Sequence, residues 1–183
     1  MAVMLPATGV SQSRDFLSKG KISVRTVSVK GSDAPRAIVT GVVNAPPAKV
    51  WKVLENCNNY KKTFGRLVMS KLLKQNGDQF ICKVVVDMPF PLGDLSGVTR
   101  ATHKVEPGKE YSRKWTLVKG DYTRNDGSWV VRPFDAAGTR SWVQYQVHAE
   151  PNIPIPGWIR DQAQKSTLPD MIKKLRKAVK KIK

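Results

Sequence analysis

Hydrophobic and polar residues alternate along most of this chain, which predicts β-strands that each bury one face. Two alternating runs at residues 21–30 and 36–44 are separated by the turn-like sequence GSDAP, and together they predict a hairpin. Six further strands are predicted, and the turn-like sequences NGD, PGK, RNDG and DAAG separate most of them. Their ranges are 67–75, 79–88, 97–106, 110–119, 128–134 and 139–149.

A first helix is predicted directly after the hairpin. Asn44 can cap it, Pro46 and Pro47 suit its first turn, and Asn58 ends it. A short second helical turn is expected at residues 60–64. The apolar positions at helical spacing are Val50, Trp51, Val53, Leu54 and Cys57.

The chain closes with a long amphipathic helix at residues 156–182. Pro169 lies inside this pattern, so a kink or a restart is expected near Leu168. The apolar positions of the helix are Ile159, Ala163, Leu168, Met171, Ile172, Leu175, Val179 and Ile182.

This order of elements predicts an α+β fold, in which a curved antiparallel sheet of seven to eight strands wraps around the C-terminal helix. Only that helix is long enough to cover the apolar face of the sheet. Side chains seldom fill all the space beneath a curled sheet with one helix across it, so an internal cavity is expected. We expect residues 21–183 to form a single domain, preceded by a flexible lead-in at residues 1–20.

The charge of the chain is unusual, because 32 Lys and Arg against 14 Asp and Glu give a net charge of +18. This balance indicates an anionic partner, or only a solvated surface. An anionic membrane surface is the expected partner, and nucleic acid is not, because aromatic residues do not interleave with the basic run. No apolar run reaches the roughly 18 residues of a membrane span. The candidate membrane-contact residues are Lys173, Lys174, Lys177 and Lys180.

Two cysteines and two histidines are too few for a metal framework, so neither a metal nor another cofactor is expected. Cys57 ends the first helix and Cys82 lies on a strand that this helix can approach. The two residues are either joined by a disulfide, which indicates an oxidising compartment, or buried as free thiols. No secretory signal is recognisable at the start of the chain. Two locations stay open: the cytoplasm, or the periplasm or cell exterior if a signal peptide has been removed.

Two segments resemble the START-related helix-grip superfamily, which includes lipid-transfer domains, coenzyme Q-binding proteins, aromatic polyketide cyclases and birch-pollen-allergen-like proteins. The sequence VVNAPPAKVWKVLENCNNYKKTFG at residues 42–65 resembles its first helical region. The sequence GSWVVRPFDAAGTRSWVQYQVHAEPNIPIPGWI at residues 127–159 is similar to its last two strands and the entry to its final helix. The resemblance implies a START-like helix-grip domain that holds a lipid, sterol, quinone, polyketide or plant hormone.

Strand alternation and the helical stripe predict the side chains that line such a cavity, although the same residues could simply pack as a filled core. Two apolar connections, MPFPLGDL and PNIPIPGW, are candidates for a gated mouth or for a plug over the core. The candidate residues of the cavity and its mouth are Phe80, Val84, Val86, Met88, Phe90, Trp115, Trp129, Tyr145, Trp158, Ile159, Met171 and Leu175.

Two functions fit these patterns. We expect a monomeric, non-catalytic protein that binds, and transports, a hydrophobic small molecule or lipid. The alternative is a polyketide cyclase- or dehydratase-like enzyme that uses the same cavity, with inward His103 beside Arg100 and Arg113 as a group that could polarise a carbonyl. Because the sequence shows no recognisable Ser-His-Asp arrangement or carboxylate pair, no catalytic residue is assigned.

Overall fold

The computed structural model describes residues 14–182, which form an eight-stranded curved antiparallel sheet with a long C-terminal helix across its concave face. The strand order is β1-β2-β8-β7-β6-β5-β4-β3, so β1 and β3 are the edges. This architecture confirms the predicted α+β helix-grip fold. The strands are β1 (Ser23–Val27), β2 (Arg36–Val43), β3 (Leu67–Asn76), β4 (Gln79–Val86), β5 (Leu95–Glu106), β6 (Glu110–Gly120), β7 (Tyr122–Pro133) and β8 (Ser141–Pro151).

The helices lie at the two ends of the chain and after the second strand. Residues 14–18 are helical (α1), and a 3-10 turn at Cys57–Asn59 joins α2 to α3. Pro47 stands in the first turn of α2, where the fixed φ of proline suits a helix and its missing N–H costs no hydrogen bond. The remaining helices are α2 (Pro47–Leu54), α3 (Tyr60–Thr63), α4 (Gly157–Gln162) and α5 (Leu168–Lys180).

The C-terminal helix is interrupted where the sequence predicts it. A π-helical turn, Ala163–Thr167, connects α4 to α5. Pro169 follows in the first turn of α5 and has no N–H to donate to the preceding turn. The widened turn therefore lies at the point where the regular hydrogen-bond ladder must be broken.

Helix α5 packs on β2 and completes the filled part of the core. Its residues Ile172, Leu175 and Val179 are buried, and they contact a cluster of apolar side chains from the sheet and α2. The absence of a side chain at Gly41 allows this approach, because a Cβ there would lie 2.7 Å from Ile172 Cγ2. The guanidinium of Arg176 also donates from Nε to the carbonyl of Val42 at 2.8 Å.

Strand β7 begins at Tyr122, earlier than the predicted start at residue 128. The sequence RNDG resembles a turn but lies within this strand, where Gly127 leaves room for the indole of Trp115. Strands β6 and β7 pair only between Tyr111–Trp115 and Gly127–Val131, so they separate towards one end of the sheet. The first half of β7 is paired with β8 alone, which explains why its sequence lacks the signature of a central strand.

The expected flexible lead-in is only partly described by the structure. Residues 1–13 lie outside the described residues. Residues 14–18 are helical, and Leu17 is buried with Val42 and Phe134 on the outer side of the sheet. Arg14 donates a hydrogen bond to the carbonyl of Phe134. The ordered part of the chain therefore begins before residue 21.

A disulfide joins Cys57 to Cys82 and thereby ties the turn between α2 and α3 to strand β4. Of the two alternatives left by the sequence, the structure contains the disulfide, and both residues are buried. Among the described helices, none combines the length and the apolar character that crossing a bilayer requires.

The contact between α5 and β2 can be tested by adding one methyl group. Gly41→Ala is expected to lower the free energy of unfolding by about 1–3 kcal/mol, because its Cβ would overlap Ile172. Gly93→Ala is the control, since a Cβ there meets nothing within 4 Å. Urea denaturation measures both. The loss should shrink in an Ile172→Ala background, and an identical loss in both backgrounds would contradict this packing.

Candidate functional site

A cavity of about 600 Å³ lies between the concave face of the sheet and the helices α4 and α5. It forms because α5 packs on β2 and α2 packs near β6 and β7, while α4 and the start of α5 lie across the remaining concave face and leave space beneath them. The wall is mostly apolar and comes mainly from strands β4 to β8 and from α4 and α5. Its volume is within the range of small-molecule sites.

Most of the residues predicted from the sequence lie on the wall of this cavity. Strand alternation and the helical stripe therefore identify a face that the structure brings together. The predicted residues that line the cavity are Val84, Val86, Met88, Trp115, Trp129, Tyr145, Ile159 and Met171.

Four other predicted residues lie elsewhere. Phe80 stacks on His103, with ring centroids 3.9 Å apart, and Leu175 is fully buried in the filled core beneath α5. Phe90 and Trp158 lie on the outer surface and are 93% and 55% exposed. Alternation shows which face of an element a side chain occupies, but it does not show how far along that face the cavity extends.

A buried arginine is the most polar feature of the cavity wall. Arg113 points inward from β6 and is 3% exposed. One of its terminal nitrogens lies 2.6 Å from Nε2 of His103, and the other donates to the sulfur of Cys82 at 3.1 Å. Its guanidinium also lies over the rings of Tyr60 and Phe80, with centroid distances of 5.7 and 5.8 Å.

His103 is held in its neutral form by this arrangement. Burial, together with the positive charge of Arg113, lowers the pKa of His103 from 6.5 to about 4. The neutral ring can then accept the hydrogen bond from Arg113 at Nε2. Phe80 stacks on one side of the imidazole, and Trp51 meets it edge-on at a centroid distance of 4.9 Å.

Three tyrosines supply neutral hydroxyl groups to the same cavity. Burial raises the pKa of Tyr145, and burial and then Asp121 raise the pKa of Tyr122 to about 12. The pKa of Tyr60 is also raised by burial, and its hydroxyl donates to the carbonyl of Leu54 at 2.6 Å. A phenol with an ordinary pKa of about 10 is already protonated at neutral pH, and burial makes its ionisation harder still. The hydroxyls of Tyr122 and Tyr145 can therefore serve as hydrogen-bond donors in the cavity, whereas that of Tyr60 is already engaged.

The mouth of the cavity lies at the end of the sheet where four connections meet: β1–β2, β4–β5, β6–β7 and β8–α4. Met88, Ile153 and Ile155 line the cavity from these connections. Phe90 and Trp158 extend from the same connections to the exterior. The apolar sequences of two loops therefore serve both the inside and the outside of the mouth.

The β1–β2 connection is fastened to the convex face by a polar cluster. Ser32 donates to Glu150 at 2.7 Å, and its Oγ lies 3.0 Å from Nε2 of buried His148. Nδ1 of His148 lies 3.6 Å from Asp126. This is a Ser-His-Asp arrangement that the sequence did not reveal, because its members come from three separate elements. The contact with Glu150 is the shortest that the Ser32 hydroxyl makes, and the cluster ties the loop to strands β7 and β8.

The four lysines predicted to contact a membrane are spread along α5. Lys173 pairs with Asp170 at 3.3 Å. Lys180 lies at the end of the domain opposite the mouth, where it borders a second pocket of about 530 Å³ together with Lys49. The helical path from Trp158 to Lys180 is about 33 Å, so the basic residues and the apolar mouth do not form one continuous patch.

The candidate residues drawn from the sequence left out most of the polar residues of the cavity wall. Arg113 was considered only beside His103 in the enzyme alternative, although Trp115 faces inward and residues two apart share one face of a strand. Tyr122 and Asn125 were missed because the start of β7 resembles a turn. The additional polar residues on the wall include Tyr60, Thr99, Arg113, Tyr122 and Asn125. The other charged residues that line it are Asp33, Arg66, Asp87, Glu150 and Arg160.

Known proteins share this fold and sequence pattern. Residues 43–176 match the family described as polyketide cyclase / dehydrase and lipid transport. A STAR-related lipid transfer protein from Xanthomonas axonopodis is 25% identical, with a TM-score of 0.75 over 87% of this chain and 94% of that chain. No protein with a curated description matches the sequence.

Two more distant structures show the fold alone. Human StAR-related lipid transfer protein 5 is 12% identical, with a TM-score of 0.73 over 94% of this chain and 97% of that chain. The ZhuI aromatase/cyclase from Streptomyces sp. R1128 is 17% identical, with a TM-score of 0.51 over 86% of this chain and 84% of that chain.

The environment of His103 predicts a specific titration. Its pKa in the folded protein, about 4, is below the 6.5 of an unfolded chain, so the unfolded chain binds more protons between these values. The contribution of His103 to stability is therefore complete above pH 6.5 and is lost as the pH falls towards 4. Histidine NMR, assigned with His103→Gln, should give a midpoint near 4. A midpoint near 6.5 would contradict the described contacts.

Proposed function

Because the chain belongs to the polyketide cyclase/dehydrase and lipid transport family, we propose that it binds one hydrophobic small molecule or lipid in its cavity and carries it between membranes. The observation that supports this most is the cavity of about 600 Å³, with an apolar wall that continues to an apolar mouth. The similar protein from Xanthomonas axonopodis is itself named a lipid transfer protein.

The proposed driving force is the removal of ligand hydrocarbon from water, which contributes about 25 cal/mol per Å² of apolar surface. Aromatic side chains form a broad contact surface for such a ligand. Trp129 lies against Tyr145 with ring centroids 4.5 Å apart, and Trp115 stacks on Tyr145 at 5.9 Å. The indole of Trp115 is itself fixed by donating to Asn125 at 3.1 Å.

We propose binding without catalysis as the function of this cavity. His103, which does not line the cavity itself, accepts a bond from Arg113. Burial moves the pKa values of Tyr122 and Tyr145 further above neutrality. A cyclase needs a group that transfers a proton at working pH. The family description covers both functions, and the fold likeness to ZhuI does not assign such a group, so binding and transport are favoured over the enzyme alternative.

We further propose that the protein acts as a monomer in which residues 21–183 form the ligand-binding domain, with the helix at residues 14–18 packed against it, and that it exchanges ligand at an anionic membrane. Lys173, Lys174, Lys177 and Lys180 would supply a long-range attraction of about 1 kcal/mol for each lysine near the surface. The exposed rings of Phe90 and Trp158 would supply the short-range contact beside the mouth. The lysines would act while the protein approaches the membrane, and the rings would act once it touches the surface. The two sets lie at different places on the domain.

A pair of variants on β4 tests ligand binding. Val84→Asp places a carboxylate on the cavity wall and should abolish binding of a fluorescent fatty acid or sterol analogue. Val85→Asp, on the opposite face of the same strand, is the matched control and should bind normally. Quenching of tryptophan fluorescence measures a one-to-one complex. The proposal fails if folded wild-type protein binds no apolar probe at micromolar concentration.

A second pair of variants separates attraction from insertion at the membrane. Changing the four lysines together to Gln should remove most binding to vesicles that contain phosphatidylserine, and the remaining binding should depend little on salt. Phe90→Ser with Trp158→Ser should leave the salt dependence intact but slow ligand transfer between vesicles. Leu73→Ser, on the exposed edge strand β3, is the control. Equal binding to neutral and anionic vesicles would contradict the proposed role of the lysines.

A further inference from the structure

The charge of Arg113 has no counterpart within the described part of the protein. Its hydrogen-bond partners there are a neutral imidazole and a disulfide sulfur, and no carboxylate is within ion-pair distance. A guanidinium carries five N–H donors, and these two contacts engage two of them. At 3% exposure, the group is also shielded from bulk water.

Three more exposed arginines show the opposite pattern. Arg36 pairs with Asp126 at 2.7 Å, and Arg132 pairs with Glu110 at 2.6 Å. Arg140 likewise pairs with Asp135. Exposed arginines without a carboxylate partner among the described residues, such as Arg100, are solvated by water, whereas Arg113 is buried and needs a counter-charge most.

The position of Arg113 indicates how a ligand would lie. From Arg113 to the end of β6 at Gly120, next to the mouth, the strand runs for about 23 Å. The wall between these points is lined mainly by Val84, Val86 and Met88 and by residues of α4 and α5. An anionic group at Arg113 would place an extended hydrocarbon tail along this wall and towards the mouth.

We propose that the ligand is an amphiphile with one anionic oxygen headgroup, a carboxylate or a phosphate monoester, which pairs with Arg113 at the inner end of the cavity. The inference rests on the proposed function and adds the headgroup and its orientation. A carboxylate matches the planar fork of the free N–H groups best, because it can accept two parallel hydrogen bonds. The headgroup of the ligand then supplies the negative counter-charge for Arg113.

The test compares probes that share a tail and differ in the headgroup. Oleate, oleyl phosphate, oleyl alcohol and oleylamine are titrated into wild-type protein, Arg113→Gln and Arg113→Lys. At least one anionic probe should bind the wild type about tenfold or more tightly than the alcohol. Arg113→Gln should lose that preference while its affinity for oleyl alcohol stays within about twofold. The relative affinities of oleate and oleyl phosphate distinguish the two headgroups.

The matched control is Lys114→Gln, which removes one positive charge from the neighbouring, exposed position of the same strand. It should leave all four affinities unchanged. Arg113→Lys keeps the charge without the planar fork, so it should bind the anionic probes with intermediate affinity. An equal loss in Lys114→Gln would overturn the inference, because the effect would then come from net charge.

A second measurement needs no variant. A bound anion beside Arg113 offsets the positive charge that lowers the pKa of His103, so oleate should raise the NMR titration midpoint of that histidine, whereas oleyl alcohol should not. If the probes bind with equal affinity and none moves the midpoint, the headgroup inference is wrong and the proposed function stands. If no probe binds, the proposed function itself fails.

Discussion

The rest of this structure depends on one constraint: the sheet is wider than the single helix that packs across it. Helix α5 lies close to β2 because Gly41 has no side chain, and Ile172 and Leu175 fill the space between them. This contact completes the core on one side of the concave face. The part of the face that α5 and α2 leave uncovered becomes the wall of the cavity.

Burial around that cavity shifts the pKa values of nearby polar groups. It raises the pKa of Tyr145 on the wall and, together with the positive charge of Arg113, lowers the pKa of His103 and keeps it neutral. Arg113 is buried beside these groups without a carboxylate partner, and a buried charge of this kind is stabilised by an anionic partner, which the ligand would supply. Because Arg113 is buried without a counter-charge, the apolar cavity should prefer a ligand with an anionic headgroup.

The fold could be predicted from the sequence because the signals for it are local. Alternation predicts the strands, an apolar stripe predicts the last helix, and prolines mark where helices begin. Alternation also identified Val84, Trp129 and Tyr145 as inward. It could not separate them from Phe80, which faces inward but packs against His103, since depth along a face depends on tertiary packing. The early start of β7 was missed because Gly127 serves a contact with Trp115, which lies on another strand.

The central claim is that this cavity holds a hydrophobic ligand in its native setting. The most direct measurement is native mass spectrometry of the protein purified without detergent from its own host, followed by solvent extraction of the bound material. The account predicts a mass above that of the 20.4 kDa chain by one small molecule, which extraction recovers as an amphiphile with a long apolar tail. A bare chain mass with no extractable apolar compound would contradict it.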